Sequence, residues 1–300
     1  MQTTSLVQIE TSDQLLLPAL LFSTPDSSKR AVICLHGNGG SSIIRHQEAT
    51  QSLANALNEV GFSHLALSNR GAGYITKFSR PAGDSYLGGM AYERIEECAL
   101  DIDAAIAFLQ ERGYEEIVLL GFSTGANKIC VYNKLRPSNQ IARYILACGG
   151  DDTGLTYQDW GKEMFERLLA EGRKAVAEGR GRELIQELIE TRTYFLSWQS
   201  LLDMCEPDGA YNIFPFYEQF YGRLGTKELF QEFSSITKPS LVVYGESDEY
   251  AYGRLPEIMD LLKSKAHPEA AMEFATIPGA DHGFTGKGQE LARTIAQFLA

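Results

Sequence analysis

The sequence predicts an α/β fold. Short apolar runs that are typical of buried strands alternate along the chain with longer segments whose apolar residues recur every three or four positions, as in amphipathic helices. This alternation is the pattern of strands joined by crossover helices. The loops after several of these runs contain Gly, Ser, Asp and His, the residues of tight turns and of hydrolytic chemistry.

Eight strands are predicted, at residues 5–10, 15–22, 31–35, 64–68, 116–120, 142–148, 240–245 and 271–277, with the first two as an antiparallel pair. Helices are predicted at about 44–60, 91–110, 126–135 and 289–299. In the second of these helices, the residues expected to form one buried face are Ile95, Ala99, Ile102, Ala105, Ile106 and Leu109, and Gly113 follows its end. The loop at 71–90 is long enough to fold over a site at the sheet edge.

A long interruption separates the sixth predicted strand from the seventh. We call residues 150–238 the helical segment, because charged residues mix there with apolar stripes, and residues 1–149 and 239–300 the core domain. The segment contains Trp160, Trp198, Tyr157, Tyr194, Phe195, Tyr211, Phe214, Phe216, Tyr217 and Tyr221. These rings favour an apolar or aromatic pocket. The alternative is that they pack the helices together.

The motif Gly121-Phe122-Ser123-Thr124-Gly125 directly follows the fifth predicted strand and precedes a helix. A serine between two glycines at such a turn can adopt the strained backbone that lifts its hydroxyl above the sheet edge. Because the G-x-S-x-G pattern alone also fits an ordinary loop serine, the flanking strand and helix carry the interpretation. The sequence therefore predicts that Ser123 is a nucleophile.

A serine hydroxyl needs a base and an orienting acid. Asp248 lies just beyond the strand at 240–245 and is the predicted acid, with Glu246 or Glu249 as alternatives and a turn-forming role as another. His282 lies in a glycine-bracketed loop after the last strand and is the predicted base. The other histidines fit less well: His46 and His64 fall in a predicted surface helix and a strand start, His267 lies in a polar loop, and His36 is interpreted as a loop anchor.

The oxyanion of the tetrahedral intermediate needs fixed N–H donors. The strand at 31–35 leads into His36-Gly37-Asn38-Gly39-Gly40, where glycines let the main chain turn its amides toward a reacting carbonyl. The predicted pair is the amide of Asn38 and that of Thr124, the residue after the nucleophile. Gly39 is a further candidate donor.

Taken together, these motifs resemble the α/β-hydrolase superfamily in its serine esterase, lipase and peptidase branch. The resemblance covers nearly the whole chain, and the order Ser123, Asp248, His282 is that of the superfamily. It implies a mostly parallel eight-stranded sheet with helices on both faces, and catalysis by a Ser-His-acid triad. It also implies that residues 150–238 form a helical cap, or lid, inserted after the sixth strand. The substrate is not implied, since this scaffold serves many chemistries.

Composition excludes several other classes. The chain has 300 residues, a formal net charge of -12 and a pI near 5.0, which disfavours nucleic acid and anionic membrane surfaces as partners. No apolar run reaches transmembrane length and no secretory signal is recognisable at the start. Five cysteines without metal-ligand spacing indicate reduced thiols, so a cytoplasmic location is expected. Neither a metal nor an organic cofactor is expected.

The function predicted from the sequence is hydrolysis of a carboxylic ester, or a related acyl bond, of a small and largely apolar molecule through an acyl-enzyme intermediate. The alternatives are an acyltransferase, a lactonase or a peptidase with the same triad, or a receptor that binds a small molecule and turns it over slowly. Arg70, Lys77 and Arg80 could hold an anionic group, or could form a solvated face or pair with carboxylates of the helical segment. The oligomeric state is not predicted.

Overall fold

The computed structural model describes residues 3–24, 28–43, 47–191 and 194–300. The strands of the described chain are β1 (Thr3–Glu10), β2 (Leu16–Ser23), β3 (Arg30–Leu35), β4 (Ser63–Leu67), β5 (Thr76–Ser79), β6 (Ser85–Gly88), β7 (Glu116–Phe122), β8 (Arg143–Ala147), β9 (Ser240–Gly245) and β10 (Met272–Ile277). Eight of them form one sheet in the order β1-β2-β4-β3-β7-β8-β9-β10, in which β2 alone runs antiparallel to its neighbours. The predicted mostly parallel, eight-stranded sheet is confirmed.

The helices of the same described ranges are α1 (Gln47–Glu59), α2 (Cys98–Gln110), α3 (Thr124–Leu135), α4 (Asp152–Ala177), α5 (Gln186–Glu190), α6 (Trp198–Cys205), α7 (Phe216–Phe220), α8 (Gln231–Ser234), α9 (Leu255–Lys265) and α10 (Gly288–Leu299). Helices α1 and α10 pack together on one face of the sheet, whereas α2 and α3 pack together on the other. The start predicted for the first helix, Ile44, and His46 lie outside the described residues.

The prediction of one helix over 91–110 is wrong at its beginning. A single 3-10 turn, Ile95–Glu97, precedes α2. The carbonyl of Ala91, which in a longer helix would accept from the amide of Ile95, instead accepts from the Ser197 amide at 2.9 Å and the Ser200 hydroxyl at 2.8 Å. The amide of Ile95 donates to Asp203 at 2.6 Å. Contacts with α6 therefore replace the first helical turn.

The segment predicted as a loop at 71–90 contains a hairpin of β5 and β6, which pair antiparallel with Thr76 opposite Gly88. Its turn includes Gly83 with φ +87°, a conformation that glycine adopts without strain. Each strand has only four residues, and this pair packs beside the core rather than joining the main sheet.

Between β8 and β9 the described residues form five helices, α4 to α8. The helical pattern predicted for residues 150–238 is interrupted, because Leu184, just before α5, pairs with Ser197, just before α6, in an isolated antiparallel bridge. Most of the aromatic rings of the helical segment pack the helices together, the second of the two interpretations, for example Phe214 against Phe216 at 6.0 Å between ring centroids. In the described residues, no helix combines the length and the apolar character that a membrane crossing requires.

All three interpretations of Arg70 are wrong. Its side chain is 2% exposed, and its guanidinium donates to Asp101 at 2.8 and 2.9 Å and to Asp13 at 3.1 Å. Asp101 also accepts from the Arg70 amide at 2.8 Å. This buried ion pair ties the loop after β4 to α2 and to the β1–β2 turn, away from the helical segment. Lys77 is exposed, and Arg80 pairs with Asp84 at 3.2 Å.

We expect Asp101→Ala to lower the free energy of unfolding by about 3 to 5 kcal/mol, because it leaves a guanidinium buried without its main partner. Urea unfolding at pH 7 measures this effect. Glu171→Ala is the matched control, since Glu171 forms an exposed ion pair with Arg167 at 3.1 Å and its removal is expected to cost at most about 1 kcal/mol. Equal losses of unfolding free energy in the two variants would contradict the assignment of Asp101 as the main partner of a buried Arg70.

Candidate active site

The loops after β3, β7, β8, β9 and β10 meet at one edge of the sheet, because these five strands run parallel. Ser123 stands at this edge, between β7 and α3, with φ 54° and ψ -127°. A Cβ at Gly121 would collide with the carbonyl oxygen of Gly125, and a Cβ at Gly125 would lie 2.5 Å from that of Leu35. Both glycines of the motif are therefore required by close backbone approach, and the strained serine turn is present as predicted.

His282 and Asp248 meet at the same edge. The Nδ1 atom of His282 lies 3.0 Å from each carboxylate oxygen of Asp248, which is 6% exposed. The alternative acids are engaged elsewhere: Glu246 accepts from the Gly279 amide at 2.8 Å, and Glu249 accepts from the backbone amide of His282 at 2.9 Å. Of the three carboxylates considered, Asp248 is the one that faces the imidazole.

Close packing between two loops brings this pair together. A Cβ at Gly245 would lie 2.5 Å from the carbonyl oxygen of Ala280, and the amide of Ser247 donates to that same oxygen at 2.8 Å. Burial by itself lowers the pKa of His282, but the hydrogen bond to Asp248 and its negative charge outweigh burial, so the pKa lies above the usual 6.5. The ring of Tyr250 stands edge-on to the imidazole, with centroids 4.7 Å apart.

The predicted oxyanion donors belong to Thr124, which follows Ser123 in the chain, and to Asn38, whose loop approaches Ser123 closely. Thr124 begins α3, so its amide is one of the helix N-terminal N–H groups that have no partner within the helix. A Cβ at Gly37 would lie 2.8 Å from the Cβ of Ser123, which shows how closely the loop carrying Asn38 approaches the serine. The positive helix end at Thr124 favours a developing negative charge there.

His36 is not suited to be a base. It is 6% exposed, its Nδ1 lies 2.8 Å from the Gly37 carbonyl oxygen, and burial lowers its pKa to about 3. It therefore remains neutral and anchors the loop, as predicted.

All five cysteines lie in the described ranges, and each is free and buried. One of them, Cys148, offers a sulfur within 4.8 Å of the ligand atoms of Asp248 and His282, a grouping that resembles a metal site. Burial raises the pKa of Cys148 well above its usual value, however, and the thiolate is the form that binds metals. This grouping is better explained as a buried thiol beside the imidazole and carboxylate pair.

A cavity of about 910 Å³ opens beside Ser123 and His282. Its wall is shared by the core domain and the helical segment, which contributes Leu155, Thr156, Asp159, Tyr194 and Met204. Asn38 also lines the cavity, so three of the five predicted site residues, Ser123, His282 and Asn38, border it. The other two are next to lining residues: Asp248 contacts His282, and Thr124 follows Ser123 in the chain. Among the described lining residues there are acidic side chains but no Lys or Arg, so the cavity does not favour an anionic substrate.

The sequence interpretation missed Asp152, which lines this cavity. Its Oδ2 accepts from the Thr124 hydroxyl at 3.2 Å, and burial raises the pKa of its carboxyl group. The available signal was the run Gly149-Gly150-Asp151-Asp152, directly after a predicted strand adjacent to the serine strand. Helix capping was the competing explanation, and it holds for Asp151, whose side chain accepts from the Gly154 amide at 2.9 Å.

The strand order of the sheet, the strained turn at Ser123 and the loops that meet beside it define the class of protein. The chain has an α/β-hydrolase fold. Residues 29–299 match the family model described as Protein of unknown function (DUF1749), and the chain belongs to that family. No curated protein sequence matches the chain significantly.

Solved structures of similar architecture span nearly the entire chain. Est1E from Butyrivibrio proteoclasticus with bound ferulic acid has a TM-score of 0.63 at 15% identity, covering 98% of this chain and 97% of its own. The α/β hydrolase GrgF from Penicillium sp. sh18 has a TM-score of 0.63 at 15% identity, covering 99% and 98%. An esterase from Pyrococcus furiosus has a TM-score of 0.57 at 19% identity, covering 99% and 90%. At these identities the similarity establishes the fold alone, and it confirms the predicted fold class.

Proposed function

We propose that this protein is a serine hydrolase that cleaves a carboxylic ester of a small, largely apolar and uncharged molecule. The observation that carries the proposal is the His282–Asp248 pair at 3.0 Å, at the same cavity as a serine held in the strained turn between β7 and α3. The similar structure from Pyrococcus furiosus is named an esterase, which agrees with it.

In the proposed reaction, the Ser123 hydroxyl oxygen attacks the ester carbonyl carbon as Nε2 of His282 takes its proton. Asp248 holds Nδ1 and stabilises the imidazolium, while the amides of Asn38 and Thr124 hold the oxyanion. Collapse of the tetrahedral intermediate breaks the ester C–O bond, and His282 returns the proton to the departing alcohol. Water then attacks the acyl-enzyme by the same route, releasing the acid and restoring the serine.

We also propose that residues 150–238 act as a cap over this site. Support comes from their position between β8 and β9, and from the side chains that they contribute to the cavity wall opposite Ser123. Such a cap excludes water and shapes the substrate pocket. Tyr194 is the aromatic residue of the segment that lines the cavity among those described.

A fluorophosphonate probe tests the proposed function, because it labels only a serine activated by a base and an oxyanion site. We expect stoichiometric labelling of Ser123, located by peptide mass spectrometry, and hydrolysis of short p-nitrophenyl esters. A heat-denatured sample is the control for nonspecific labelling. Absence of both labelling and hydrolysis would contradict the proposal.

The alternatives with the same triad differ in the acyl acceptor or in the bond that is cleaved. A panel of esters, lactones, thioesters and peptides, with and without competing alcohols, separates them by product analysis. A receptor would retain its ligand tightly with a negligible steady-state rate, whereas the proposed esterase releases its products.

A further inference from the structure

The cavity beside Ser123 extends away from the sheet edge along the face that α1 and α10 cover. We call this extension the inner arm and define it by residues that line it, namely Cys34, Leu53, His64, Ala66, Leu291 and Ala292. Cys34 and Ala66 are register partners on β3 and β4, and both are small. Because neighbouring strands place register partners on the same face, these two short side chains leave room between the sheet and the helices.

The walls of this space contain buried polar atoms without partners. His64 is 0% exposed, and neither of its ring nitrogens has a hydrogen bond to any residue that the structure describes. Ser42, at 8% exposure, and His36, at 6%, also line the cavity, and in the described structure Oγ of Ser42 and Nε2 of His36 have no partner. A buried polar atom without a hydrogen bond costs about 1 to 3 kcal/mol, so a ligand group that bonds to one of these four atoms gains affinity from that bond.

The protonation state of His64 indicates what that ligand offers. Burial lowers the pKa of His64 to about 4, so the ring is neutral at pH 7 and presents one donor and one acceptor. A hydroxyl group can bond to either ring nitrogen in either tautomer, because it both donates and accepts. The rest of the inner arm is apolar and suits the methylene chain that leads to the hydroxyl.

The distance between His64 and Ser123 determines how long the aliphatic chain of the ligand must be. Through Val32 its register partner on β7 is Val118, five residues before Ser123. At the spacings of a sheet, this places the two backbones roughly 16 Å apart along the strands and about 10 Å apart across them. Side chains shorten that distance, but a group bound at Ser123 still needs a chain of medium length to approach His64.

We propose that the inner arm binds a medium-length aliphatic chain that carries a hydroxyl group, with its methylenes over Cys34 and Ala66 and its oxygen bonded to His64. This inference rests on the proposed function and deepens it, since it names the substrate class as esters with a hydroxylated chain. The chain belongs either to the acid or to the alcohol of the ester, because Ser123 and His282 both border the cavity.

The first test compares kcat/KM for p-nitrophenyl octanoate and its ω-hydroxy derivative, and for the acetates of octanol and of the α,ω-octanediol. We expect the hydroxylated member of one pair to be preferred by about 5- to 10-fold, the equivalent of one net hydrogen bond. His64→Phe should remove this preference, since it keeps the ring stack against Phe22 at 5.5 Å and deletes both nitrogens. His64→Gln, which retains a donor and an acceptor, should restore part of it.

Leu65→Val is the matched control, because Leu65 is a buried neighbour that points to the opposite face of β4 and does not line the cavity. It should leave the preference unchanged. Ester hydrolysis with no preference in either pair, or a preference that survives His64→Phe, would overturn the inference while leaving the proposed function intact.

The second test needs no turnover. Calorimetric titration of the Ser123→Ala variant with octanol and with the α,ω-octanediol should show tighter binding of the diol by about 5- to 10-fold, and His64→Phe should equalise the two. Equal binding in the presence of His64 would refute the inner arm even if no ester is hydrolysed. Absence of both fluorophosphonate labelling and ester hydrolysis, with a diol preference present, would instead refute only the proposed function.

Discussion

Ser123→Ala is expected to reduce ester hydrolysis by about 10⁶-fold in kcat, because the variant lacks the nucleophile while the oxyanion amides and the cavity remain. The fold should be unaffected, since the hydroxyl points into the cavity edge and its removal leaves no void in the core. Steady-state assays with p-nitrophenyl esters measure the loss, and circular dichroism with thermal unfolding checks the fold. An alanine variant with wild-type activity would refute the nucleophile assignment.

Ser123→Gly separates chemistry from strain. Both variants lack the hydroxyl, but only glycine adopts φ 54° without steric cost. We therefore expect the glycine variant to be inactive and roughly 1 kcal/mol more stable than the alanine variant. Backbone strain at such positions costs about 1 to 3 kcal/mol, which glycine avoids. Part of that stabilisation is offset, because glycine loses more conformational entropy on folding than alanine. Equal stability would mean that the turn stores no strain.

Asp248→Asn is expected to lower kcat by about 10⁴-fold, because an amide can stabilise the wrong tautomer of His282 and cannot stabilise the imidazolium. Glu246→Gln is the matched control at the same turn, since that carboxylate accepts from the Gly279 amide and faces away from the ring. It should lose less than 10-fold in kcat, roughly. A comparable loss in both variants would indicate general disruption of the turn.

Asp248→Asn should also change the pH dependence of kcat/KM. His282 must be neutral to act as a base, and its pKa is raised above 6.5 because the bond to Asp248 outweighs the effect of burial. Wild-type kcat/KM should therefore rise with pH through a midpoint above 6.5. In Asp248→Asn only the effect of burial and the weaker neighbouring charges remain, so the midpoint should move to lower pH. A midpoint that does not move would exclude Asp248 as the group that sets the imidazole pKa.

The strand positions and the candidate residues followed from the sequence because they depend on local patterns. Apolar runs marked every strand of the main sheet to within a few residues, and the turn at Ser123 was signalled by its two glycines. The order of Ser123, Asp248 and His282 after successive strands was also readable, since parallel strands deliver their following loops to one edge.

Other features depended on contacts between distant segments. The missing first turn of the helix predicted at 91–110 results from bonds between Ala91 and residues of α6, more than a hundred positions away. Arg70 is buried because Asp13 and Asp101 surround it, and nothing local distinguishes it from a surface arginine. Asp152 and His64 acquire their place in the cavity only through packing.

The sequence by itself thus determined the α/β class and the strands and supplied the candidate residues for the chemistry, because hydrophobic periodicity and turn composition are properties of neighbouring residues. The tertiary structure alone decided which carboxylate faces His282, which charges are buried and how far the cavity extends. Those features arise from side chains that meet across the fold, and the free energy of burying them depends on partners that no local pattern specifies.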